Sequence, residues 1–142
     1  MASILIVDDD PTVRLIATEL LRRSDHAIVE AADGALAMKI VEAARVDLIV
    51  LDLLMPNVDG LEVIRRVRGS HPDIRILAIS SGGRGGALSY LEAARVFGAD
   101  EVMTKPLRLA TFAATVERLL ADPASRPDPW ALDDRDGAAA AA

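Results

Sequence analysis

Short runs rich in Ile, Val and Leu alternate with segments of helical period along most of the chain, and this alternation constrains the fold more than any other feature. The strand candidates are Ile4–Val7, Ala27–Ala31, Leu48–Leu51, Ile74–Ile79 and Glu101–Thr104. Within them ILIV, LIVL and ILAI are continuous apolar runs, the pattern of strands covered on both faces of a parallel sheet. Between them lie apolar stripes at helical spacing: Val13, Ile16, Ala17, Leu20 and Leu21; Leu36, Ala37, Ile40, Val41 and Ala44; Leu61, Ile64 and Val67; Leu88, Leu91, Ala94 and Phe97; and Leu109, Phe112, Ala113, Val116, Leu119 and Leu120. Asp10 followed by Pro11, and Asp33, read as N-caps, and Gly69 and Gly98 as stops. The pattern predicts an α/β fold, a (βα)5 doubly wound parallel sheet of five strands with helices on both faces. In such sheets ligands gather at the carboxyl ends of the strands.

Length and composition narrow the function. The 142 residues fit one domain over residues 1–121, followed at 122–142 by a stretch rich in Pro, Asp and Ala that reads as an extended or disordered tail. Cysteine is absent, so thiolate metal sites and thiol chemistry are excluded, and a reducing cytoplasm is the expected setting. A formal net charge of -6 without a basic cluster argues against direct nucleic-acid binding, and no apolar run is long enough to span a membrane. The two histidines, His26 and His71, fall in connecting segments, which disfavours a histidine-based metal site or triad.

The strand ends carry the chemistry. The first strand runs into Asp8, Asp9 and Asp10, and the third into Asp52. Placed side by side, these strands bring Asp8, Asp9 and Asp52 into one crevice, where clustered carboxylates must take up a proton or a counter-cation. Carboxylate and carbonyl oxygens suit Mg2+. Each Asp also has a plain reading as a cap or solvated turn, and for Asp10 the cap is preferred. Strand four runs into Ser80 and Ser81, and strand five is followed by Lys105-Pro106. A hydroxyl and an ammonium at the same edge suit a phosphoryl group, although a Ser pair alone suggests a turn and a lone Lys solvated surface. Gly82, Gly83, Gly85 and Gly86 match neither common phosphate-loop pattern and read as a mobile loop into helix four.

The segments ILIVDDDPTVR, DLIVLDLLMPNVDGLEVIRRVR, ILAISSGG and GADEVMTKPL, in this order and spacing, resemble the receiver (CheY-like) domain of bacterial two-component response regulators, over roughly Ser3 to Ala121. The resemblance implies a flavodoxin-like strand order 2-1-3-4-5. It implies that Asp52 is the phosphoacceptor, that Asp9 and Asp52 ligate Mg2+ directly with Asp8 acting through water, and that the main-chain carbonyl of Leu54 completes the protein's share. Ser80 would bond a phosphoryl oxygen, Lys105 would pair with phosphorylated Asp52, and the Lys105-Pro106 peptide would be cis. The implied partners are a sensor histidine kinase or phosphotransfer protein and an unidentified downstream protein, with the chain a stand-alone regulator, monomeric or a weak homodimer, that performs only its own phosphorylation and slow dephosphorylation.

Two positions depart from the family pattern. Val102 stands where a switching aromatic is common, and Ser81 where the residue is usually Ala. Two other functions remain open on the sequence: a receiver-shaped interaction module that never uses phosphate, and a Mg2+-dependent phosphohydrolase with an aspartyl nucleophile. Against the second, the residue two after Asp52 is Leu54, which cannot act as a general acid.

Overall fold

The computed structural model describes residues 1–55, 60–81 and 86–121, and the side chains of 86–89 are left aside. The expected tail at 122–142 and most of the glycine loop, 82–85, lie outside the described residues, as does the Leu88 side chain of the fourth stripe. The elements are β1 (Ser3–Val7), α1 (Pro11–Leu20), β2 (Ala27–Ala31), α2 (Gly34–Ala43), β3 (Leu48–Asp52), α3 (Gly60–Ser70), β4 (Arg75–Ser81), α4 (Gly86–Phe97), β5 (Glu101–Lys105) and α5 (Leu109–Ala121). The strands form one parallel sheet in the order β2-β1-β3-β4-β5, so the chain reverses its direction of winding between β1 and β3. The continuous apolar runs occupy the three inner strands, and the two edge strands are partly exposed.

Alternation along each inner strand divides the core into two layers. Leu5, Val7, Ile49, Leu51, Ile76 and Ala78 face α2, α3 and α4, where Val41, Val63, Val67 and Ala94 meet them. Ile4, Ile6, Leu48, Val50, Leu77 and Ile79 face α1 and α5, with Ala17, Phe112 and Val116 opposite. Phe112 is fully buried and is the largest side chain of its layer. Phe112→Ala is therefore expected to cost about 3–5 kcal/mol, read as a lower urea midpoint with an unchanged slope. Ile16, Leu36, Phe97 and Leu109, assigned to apolar stripes on spacing, are exposed, because those helices press a narrower strip on the sheet than the stripes supply.

Asp10 and Asp33 cap their helices, accepting from Thr12 N at 2.9 Å and Leu36 N at 2.8 Å. Gly98 ends α4 at φ 121°, a conformation that favours glycine, and Gly98 N and Ala99 N both donate to Ala94 O. Gly69 does not end α3, which runs through Ser70; His71 N still reaches Val67 O at 2.6 Å, and Pro72 stops the helix instead. Strand ends also differ from the apolar runs. β3 includes Asp52, β4 starts at Arg75 and extends through Ser81, and β5 extends to Lys105. Backbone pairing continues where the apolar side chains stop, as in Ser80 with Thr104 and Ser81 with Lys105. Among the described residues no helix is long and apolar enough to cross a membrane.

Candidate functional site

The carboxyl ends of β1, β3, β4 and β5 lie next to one another in the sheet, and every residue singled out from the sequence for chemistry sits on that edge. Asp8 and Asp9 leave β1, Asp52 is the last residue of β3, and the β3–β4 register sets Asp52 opposite Ile79, one residue before Ser80. The sheet thus delivers side chains from three separate chain segments to one cluster and sets Ser80 of a fourth beside them by strand register.

Carboxylate oxygens of Asp8, Asp9 and Asp52 lie within 4.8 Å of one another. Lys105 Nζ is 3.0 Å from Asp8 Oδ2 and 3.7 Å from Asp52 Oδ1, so one ammonium contacts two of the three clustered carboxylates. Asp8 and Asp52 are buried and Asp9 is exposed. Asp8 Oδ1 accepts from Asp10 N at 2.9 Å, and Asp52 Oδ1 from Leu54 N at 3.3 Å. Burial foremost, with the neighbouring charge of Asp8 and a smaller contribution from Asp9, raises the Asp52 pKa from 3.8 to about 6, while Lys105 and the Leu54 N–H pull it down. The excess negative charge calls for a cation, and a donor set of carboxylates with no histidine or cysteine fits a hard divalent ion such as Mg2+.

Ser80 completes the edge. It is wholly buried, and its Oγ has no hydrogen-bond partner among the described residues. A buried hydroxyl left without a partner is uncommon and calls for an explanation, such as a ligand that supplies the missing acceptor. The Lys105-Pro106 peptide is cis.

The sequence model of the response regulator receiver domain matches residues 4–117. The chain belongs to that family. Among curated relatives, the response regulator MprA of Mycobacterium tuberculosis is 36% identical over 117 residues, covering 82% of this chain and 50% of the relative. The sensor kinase CckA of Brucella abortus is 33% identical over 121 residues, 84% of this chain and 12% of that protein. The chain thus spans about half the length, or less, of these relatives. Among solved structures, a putative response regulator from Chloroflexus aurantiacus superposes with a TM-score of 0.78 at 30% identity, covering 85% of this chain and 98% of that one. The response regulator TrrA from Thermotoga maritima, in complex with Mg(2+)-BeF, gives 0.73 at 30% identity, covering 84% and 100%. The fold is the receiver fold of two-component signalling, with the expected strand order.

The structure brings together Asp8, Asp9, Asp52 and Lys105, sets Ser80 at the adjoining end of β4 by strand register, and holds Leu54 N against Asp52. Asp10 turns away as a cap, and Ser81 is exposed. Val102 lies beside Ala78 in the β4–β5 ladder and packs, partly buried, against the layer beneath α4. Neither histidine joins the cluster: His26 pairs with Glu117 at 3.0 Å, and His71 follows α3 with Ser70 Oγ 2.8 Å from its ring. Sequence reasoning missed two residues that support the site. Arg14 donates to the main-chain oxygen of Asp8, and Gly60 lies against the backbone of Asp52 and Leu53. Both stood inside the motif segments, yet neither signals its partner through spacing.

Proposed function

We propose that this receiver domain accepts a phosphoryl group on Asp52 from the phosphohistidine of a sensor histidine kinase or phosphotransfer protein, and that the modified edge changes which downstream protein the domain contacts. The convergence of Asp52 with two further carboxylates, an ammonium and a partnerless buried hydroxyl carries this reading. A carboxylate oxygen of Asp52 attacks phosphorus, the O–P bond forms as the N–P bond of the phosphohistidine breaks, and the electron pair leaves with the imidazole. Lys105, already 3.7 Å from Asp52, offsets charge on the phosphoryl oxygens, and Ser80 Oγ–H donates to one of them. Asp9, Asp52 and the main-chain carbonyl of Leu54 are the proposed Mg2+ ligands, with Asp8 acting through water; the ion, when bound, supplies charge neutralisation at the transferring group. A cytoplasmic setting belongs to the same reading, as does the absence of substrate turnover beyond the domain's own phosphate. Leu54, exposed two residues after Asp52, offers no carboxyl group to a phosphohydrolase reading.

Asp9→Asn tests the metal assignment. Loss of one anionic ligand is expected to weaken Mg2+ binding by at least about tenfold, which removes about 1.4 kcal/mol of the stabilisation conferred by excess Mg2+. Thermal melts in titrated Mg2+ read this directly: the variant should need more Mg2+ for the same shift. Identical shifts in the two proteins would leave Asp9 as a turn residue only.

A further inference from the structure

Asp9 is the least supported member of the acidic cluster. It is exposed, and no hydrogen bond or ion pair engages its carboxylate among the described residues. Its position is therefore inherited from the backbone on either side. On the carboxyl side that backbone is anchored, since Asp10 N donates to Asp8 Oδ1 and Asp10 O accepts from Arg14 N at 3.1 Å. On the amino side, Asp8 N donates to Ala31 O at 3.2 Å at the end of β2. The carbonyl of Asp8, which belongs to the Asp8–Asp9 peptide, accepts from Arg14 Nη1 at 2.7 Å.

The placement of Arg14 is otherwise unfavourable. A cation in the first turn of a helix opposes the helix dipole, and α1 begins at Pro11. Helical side chains lean toward the N-terminus, which lets residue 14 reach back over the turn to Asp8. Arg14 is mostly buried there, and Glu30 of β2 holds its Nε at 3.0 Å, leaving Nη1 directed at the Asp8 carbonyl. A short bond from a charged donor to a neutral carbonyl is stronger than the ordinary kind and fixes the plane of the peptide.

We infer that Arg14 is a positioning residue of the phosphorylation site: by locking the Asp8–Asp9 peptide against β2 through Glu30, it sets the carboxylate of Asp9 for divalent-cation binding. This rests on the reading of the acidic cluster as a Mg2+ site. The sign of the effect separates positioning from simple electrostatics. A guanidinium beside a cation site repels the cation, so removing its charge should tighten Mg2+ binding if the field is all that matters. If Arg14 positions the peptide, removing it should weaken binding despite the more negative field, as loss of an outer hydrogen-bond partner does at other metal sites.

The test is calorimetric titration of Mg2+ into the full chain, wild type, Arg14→Met and Arg14→Lys, with metal-free melts run alongside. Arg14→Met keeps the apolar stem and should bind Mg2+ about tenfold more weakly than wild type. Arg14→Lys keeps the charge but cannot engage Glu30 and the carbonyl through a planar fork, and should fall between the two. Affinity for Arg14→Met equal to or tighter than wild type overturns the inference while leaving the site reading intact. Should Arg14→Met fail to fold, the lysine variant decides, and wild-type affinity there overturns the inference. Absence of Mg2+ binding by wild type itself overturns the site reading, and the positioning role with it.

Discussion

Metal-free Asp52→Asn protein is expected to be more stable than metal-free wild type at pH 7.5, and the difference should vanish on acidification. Asp52 carries a folded-state pKa of about 6 against an ordinary value of 3.8, raised chiefly by burial and by Asp8. A carboxyl group raised in this way binds its proton more tightly in the folded than in the unfolded chain, so its ionisation opposes folding. The favourable contribution is fully present below pH 3.8 and is lost as pH rises through 6. Above that window the shift amounts to at most about 3 kcal/mol against the folded state. Asparagine does not ionise, so the variant escapes the penalty. Urea titrations from pH 3.5 to 8 should show the two proteins converging in acid and separating above pH 6. Excess Mg2+ should shrink the gap at pH 7.5, because the cation offsets the charge in wild type. A gap independent of pH would mean that Asp52 does not carry the strained charge.

Gly60→Ala should damage both stability and site. A Cβ at Gly60 would lie 2.6 Å from Leu53 Cα, 2.7 Å from Asp52 O and 3.0 Å from Leu53 O. These are backbone atoms of the segment that carries the proposed phosphoacceptor, so the clash is relieved only by moving α3 or the end of β3. Overpacking of this kind costs about 3 kcal/mol, and phosphoryl uptake should slow in the fraction that remains folded. Gly69→Ala is the matched control. Nothing lies within 4 Å of a Cβ at Gly69, and its backbone is helical, so the same substitution should stabilise by about 0.4–1 kcal/mol. Urea midpoints should move in opposite directions. A neutral Gly60→Ala would show that the junction of β3 and α3 is more yielding than its close contact implies.

The contrast between these two glycines shows what the sequence could and could not reveal. Gly69 reads as a helix stop, yet α3 passes through it because Pro72 sets the limit and the helix tolerates one glycine. Gly60 carries no local signal, since its close approach is made to residues seven and eight positions earlier across a helix–strand junction. The inner strands are legible because burial on both faces demands continuous apolar runs, and the acidic residues because polar groups at the end of such runs stand out. Strand ends are less legible: pairing of Ser80 with Thr104 and of Ser81 with Lys105 is a backbone matter that hydropathy does not record. Arg14 is illegible for a related reason. Its partners are a main-chain carbonyl and Glu30, a residue of the neighbouring strand, and neither leaves a periodic trace.

Intact-mass analysis after incubation with acetyl phosphate and Mg2+, followed by peptide mapping, tests the central claim most directly. Wild type should gain one phosphoryl group, located on the peptide that contains Asp52, and Asp52→Asn should gain none. Modification that persists undiminished in Asp52→Asn, or that maps to another residue in wild type, would contradict the assignment of this edge as the phosphoacceptor site.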